Sequence, residues 1–205
     1  MTEPMTEGGA RTAPHDEPVG APVRAGEPPR RGRADEVRAV VAAQHRQLRE
    51  LVDAVRDAEP GRDEALPRLL RYLAAHEVVE QNSLHPVLGR GSTEHGEVGA
   101  RVTEEREATD TMERLEQLDP GGKDFDREFD AWARALLAHA EAEERDELGT
   151  RLEELDEAET TMVLRLLDQV DSIAASEAML ERIAGGGGFA AMLDAARLEV
   201  SRRLD

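Results

Sequence analysis

The stretch Leu69-Leu70-Arg71-Tyr72-Leu73-Ala74-Ala75-His76-Glu77-Val78-Val79-Glu80 decides the fold. Together with its flanks it places Leu66, Leu69, Leu73, His76, Glu80, Leu84 and Val87 at steps of three and four, the period of one helix face and not of a strand. Two members of that face are polar. A lone carboxylate on a buried stripe costs several kcal/mol, so Glu80 must be paired, protonated or set against a cation. A second stretch, Leu136-Leu137-Ala138-His139-Ala140-Glu141-Ala142-Glu143, repeats the offence on the stripe Phe125, Phe129, Trp132, Leu136, His139 and Glu143. In both, His and Glu stand at i, i+4. They lie one above the other on a single helix face, where an imidazole nitrogen and a carboxylate oxygen can converge on one cation.

Working outward, Val37, Val41, His45, Leu48, Val52 and Val55 mark a helix that stops at Glu59-Pro60-Gly61. The helix carrying His76 tolerates Pro67 in its first turn and Pro86 in its last, and Gly89 to Gly91 closes it. A third helix starts near Ser92 or Thr93, carries Val98, Val102, Thr109, Met112, Leu115 and Leu118, and ends at Asp119-Pro120-Gly121-Gly122. The fourth, carrying His139, runs toward Gly149. Four amphipathic helices joined by short loops predict an all-α, up-down-up-down antiparallel four-helix bundle over residues 34–155. Residues 158–170, 176–183 and 189–203 read as further helices, so 156–205 is a C-terminal helical extension. Residues 1–33 hold six of the ten Pro and five of the 17 Gly with no apolar period, and read as a disordered tail.

Composition narrows the function. Of 205 residues, 45 are Asp or Glu and 26 are Lys or Arg, for a net charge of -19. Five Arg and five acidic residues cancel in the tail, which leaves 21 basic residues against 40 acidic ones in 34–205. Such a surface repels phosphates, so nucleic acid is not an expected partner. No run is long and apolar enough for a membrane span or a signal peptide, and a cytoplasmic protein is expected. With no Cys, chemistry must come from His, carboxylates, hydroxyls or backbone. Trp132, Phe125 and Phe129 have the spacing of core residues.

Register supplies an independent constraint. His45 and His76 are equally far along the chain from a turn centred between Pro60 and Gly61, so they should sit at one height. Reflecting His139 through the Pro120-Gly121 turn lands near residue 103, within about one turn of position 106. Each helix then offers a polar residue near mid-bundle: His45; His76 with Glu80; Arg106 or Glu105; His139 with Glu143. His and carboxylate side chains from facing helices are how bundles hold iron or manganese ions. Neither His85, nine residues beyond His76, nor His95 reaches this level along a regular helix; His85 reads as exposed or as a loop contact. His76-Glu77-Val78-Val79-Glu80 also lacks the second His of a zinc-protease helix.

The motifs Gln44-His45-Arg46, His76-Glu77-Val78-Val79-Glu80 and His139-Ala140-Glu141-Ala142-Glu143-Glu144 together resemble the hemerythrin-like, or HHE cation-binding, domain over roughly residues 35–155. The resemblance implies non-haem iron, as a di-iron or single-iron centre, with His45, His76, Glu80, His139 and Glu143 as ligands and Glu77 as a lesser candidate. It implies binding or sensing of oxygen, nitric oxide or peroxide, and a binding protein rather than an enzyme. Glu144 reads as an outer residue. The departure is Arg106, where the family usually supplies a further His; a guanidinium has no lone pair for a metal. The alternative reading is a metal-free helical interaction module in which Arg106 fills the vacated site, acting on a protein partner through its C-terminal helices.

Overall fold

The structure is a computed structural model that describes residues 32–58, 61–88, 109–148 and 151–204. The expected tail up to residue 31 and most of the expected third helix, including Arg106, Glu105 and His95, lie outside the described residues. The helices are α1 (Arg33–Asp57), α2 (Arg62–Asn82), α3 (Leu84–Leu88), α4 (109–116), α5 (Lys123–Ala142), α6 (Glu157–Leu167), α7 (Val170–Ala174), α8 (Glu177–Ala184) and α9 (Phe189–Leu204). A π-helical turn (Glu143–Glu147) and a 3-10 turn (Arg151–Glu154) lie between α5 and α6. No strand occurs among the described residues, so the fold is all-α. Nor is any described helix long and apolar enough to cross a membrane.

Helix α1 opens with Asp35 and Glu36 and closes with Arg56, charges that complement its dipole, and it buries the predicted stripe Val37, Val41, His45, Leu48, Val52 and Val55. Gly61, at φ 133°, takes the left-handed conformation that lets the chain turn into α2. Helix α2 is buried nearly all round: besides the predicted stripe, Leu70, Tyr72, Ala74, Ala75, Val78 and Val79 are buried. The reason is its position, since α1, α7 and α9 all pack against it. The apolar residues of α6, α7 and α9 share one continuous core with those of α1, α2 and α5, and the described residues belong to one compact unit. Asp156 starts α6 with a capping box, accepting from Glu159 N at 2.8 Å while Glu159 Oε2 accepts from Asp156 N at 3.2 Å.

Arg62 ties the turn end of this core together. Its Nε donates to Val55 O at 3.2 Å and its Nη1 to Pro120 O at 2.8 Å and Asp126 Oδ1 at 2.6 Å, with the guanidinium 5.5 Å from the Phe125 ring centroid. Arg62→Ala removes hydrogen bonds to the buried Val55 carbonyl, the half-buried Pro120 carbonyl and the exposed Asp126 carboxylate at once. It should cost about 2 kcal/mol, read as a lower urea midpoint, with Arg62→Lys recovering only part because an ammonium cannot span all three acceptors.

Two helices break where the sequence predicts continuity. The His76 helix was expected to run through Val87, but α2 ends at Asn82 and α3 restarts at Leu84. Pro86 is the cause: in an unbroken helix its ring would strike the Asn82 carbonyl, and it has no N–H to offer there. Buried Ser83 closes the break, its Oγ donating to Val79 O at 2.7 Å and its N–H to Glu80 O at 3.2 Å. Residues 158–170 were expected as one helix, but α6 stops at Leu167 before the short α7.

Candidate metal centre

Helices α1 and α2 bring His45, His76 and Glu80 together at the level the register argument predicts. The two imidazole rings meet edge to face with centroids 5.1 Å apart. One ligand atom from each of the three residues lies within 4.8 Å of the others, and all three side chains are buried. A second group, Glu80, His85 and Glu143, meets the same distance criterion. Glu80 belongs to both.

The local breaks in the helices aim these side chains. Along a regular helix His85 would be turned about 140° from Glu80, five residues earlier. The interruption at Ser83 redirects it to the site, where it is half-buried. At the end of α5 the α-helix widens into the π turn, closed by Leu148 N donating to Glu143 O at 3.1 Å. Such turns are often found at functional sites. Here Glu143 and Glu144, adjacent in sequence, both face His45: Glu143 Oε2 is 3.4 Å from His45 Nε2, and Glu144 Oε1 is 2.9 Å from His45 Nδ1.

His139 lies elsewhere. The buried stripe of α5 passes from Phe129 and Trp132 to Ala140 and Glu143, leaving His139 exposed and outside both groups. Its charge is still felt at His76 and Glu143. Glu77 is half-buried and is likewise outside both groups. His85, conversely, was missed as a site residue. The signal that bore on it was Pro86 immediately after it, which forbids the regular helix from which its position had been extrapolated.

The electrostatics suit a cation. Glu80 and Glu143 are each 3% exposed, and among the described residues neither oxygen of Glu143 receives a hydrogen bond. Burial works against charge on Glu143, yet the adjacent His45 outweighs it and holds the carboxyl below its ordinary value. Burial and the adjacent His45 push His76 down to about 3, so its imidazole is neutral and can donate a lone pair. Burial also opposes charge on His45, but Glu143 and Glu144 overcome it and raise its pKa above the ordinary value. Glu143 and Glu144 thus favour the protonated form of His45.

This sets a pH dependence. The raised pKa of His45 gives stability that is fully present below pH 6.5 and is lost as pH rises through the folded value; the lowered pKa of Glu143 gives stability present above pH 4.5 and lost as pH falls through its own. After chelator treatment, the stability difference between wild type and His45→Asn should be largest between pH 4.5 and 6.5 and shrink above it. Urea midpoints across pH measure this, and a difference that grows toward pH 8.5 would refute it.

A cluster of imidazole and carboxylate groups, all but His85 buried, is a donor set for a divalent or trivalent cation of intermediate softness. Residues 37–152 match the family model described as Hemerythrin HHE cation binding domain. No curated protein matches the chain, and no solved structure does. The matched segment exceeds half of the sequence and contains every residue of both groups, and on that basis the chain belongs to the hemerythrin HHE cation-binding domain family.

Proposed function

We propose that the chain binds non-haem iron at this cluster, as a two-iron centre, and uses it to bind or sense oxygen, nitric oxide or peroxide. The observation that carries the reading is Glu80, a buried carboxylate common to two groups of ligand atoms, each within 4.8 Å. His45, His76 and Glu80 would hold one ion and Glu80, His85 and Glu143 the other, with exposed His139 and half-buried Glu77 as outer candidates. Iron there would supply a redox-active centre with open positions for a small ligand. The protein's own part is to keep His76 neutral, to set His45 against Glu143 and Glu144, and to exclude water around Glu143. We also infer that α1, α2, α4 and α5 belong to an up-down-up-down four-helix bundle, with 156–205 as a helical extension. In support of this, α1 packs against both α2 and α5.

The test is anaerobic loading with Fe(II) followed by exposure to oxygen, and separately to nitric oxide. A change in visible absorption for either ligand, absent from Glu80→Gln protein, is the expected result. Iron-loaded protein whose spectrum responds to neither would overturn the sensing reading.

A further inference from the structure

Gln44 is a buried amide beside His45 that the metal groups do not include. Its Nε2 donates to Leu167 O at 2.8 Å, and its Oε1 lies 3.2 Å from His76 Nδ1. The chemistry of each partner fixes the next. A carbonyl oxygen only accepts, so the amide must present its NH2 to Leu167 and its oxygen to His76. An amide oxygen only accepts as well, so His76 must carry its proton on Nδ1. Neutral His76 then has its lone pair on Nε2, the atom 3.5 Å from Glu80 Oε1. The assignment follows from the Leu167 carbonyl alone and would survive any ambiguity between the amide's N and O.

Leu167 is the last residue of α6, and the final carbonyls of a helix have no partner within it. Because α6 stops there, a carbonyl is available beside α1, and Gln44 satisfies it. Leu167 also lies beyond residues 37–152, the segment matching the family. We propose that Gln44 is a positioning residue which, locked by the carbonyl of Leu167, sets the tautomer and orientation of His76 so that Nε2 faces the cation site, making the C-terminal helices part of that site. The metal half of this rests on the iron-binding reading above; the tautomer half does not.

The experiment uses the full chain, stripped with chelator and carrying 15N-labelled histidine, with His76 assigned by its loss in His76→Gln. Long-range 1H–15N correlation at pH 7.5 should show Nδ1 of His76 protonated and Nε2 bare. Gln44→Leu removes the acceptor and should move His76 toward the Nε2–H form; Gln44→Glu keeps an acceptor and should leave Nδ1 protonated. Titration with Co(II) as the probe should show Gln44→Leu binding roughly 10- to 100-fold more weakly, with Gln44→Glu recovering part. Thermal midpoints of the metal-free proteins separate this loss from unfolding. Wild-type His76 in the Nε2–H form overturns the proposal, as does Gln44→Leu with wild-type tautomer and affinity. If Gln44→Leu does not fold, an Nε2–H His76 in Gln44→Glu overturns it. Wild type with the Nδ1–H tautomer but no Co(II) or Fe(II) binding upholds Gln44's control of His76 and overturns the iron-binding reading instead.

Discussion

Glu80→Gln is expected to abolish metal binding almost entirely while leaving the fold in place. Glu80 is the one carboxylate whose oxygens reach both groups, so its loss removes a donor and a negative charge from each at once. An amide has the same shape and two fewer acceptor lone pairs, and it is a poor ligand beside carboxylate. Affinity for Fe(II) or Co(II) should fall roughly 100-fold or more, beyond the range typical of outer-sphere changes. Far-ultraviolet circular dichroism should be unchanged. Glu141→Gln is the matched control: Glu141 is exposed and pairs at 3.7 Å with Arg49, so its loss should not alter metal content. Equal metal content in Glu80→Gln and wild type would show that the cluster does not hold the ion.

The second large effect is expected at His85. It joins only the group with Glu80 and Glu143, whereas His45 and His76 join Glu80 alone. His85→Ala should therefore lower the metal content from about two ions per chain to about one, and His85→Ala combined with His76→Ala should remove both. The half-buried position of His85 keeps the stability cost of Ala small. Metal counted by mass spectrometry of the native protein measures it. Two ions retained in His85→Ala would confine the centre to the residues on α1, α2 and the π turn.

Much of this site is readable in the sequence, and the unreadable part has a common cause. The equal distance of His45 and His76 from Pro60-Gly61 predicts that they meet, and their rings do, at 5.1 Å. Glu80 and Glu143 are marked by their place on apolar stripes, and both are buried. Periodicity, however, extrapolates a regular helix. It cannot place His85, because the helix breaks at Ser83, and it cannot show that Glu143 and Glu144 both face His45, because that depends on a π turn. On α5 the stripe passes through Ala140 and not His139, a one-residue precession that a repeat of three and four does not resolve. The packing of α7 and α9 on α2 was legible in principle: Leu70, Ala74 and Val78 make that helix apolar on faces the expected bundle would leave wet. Gln44 is different in kind. It precedes His45 and reads as an ordinary polar residue until the end of α6 is placed against it.

The most direct measurement is the iron content of the purified full-length protein after expression in iron-supplemented medium. The proposed two-iron centre predicts about two iron ions per chain, lost on chelation and restored on reconstitution. Less than about 0.2 iron per chain, unchanged by reconstitution with Fe(II), would contradict it.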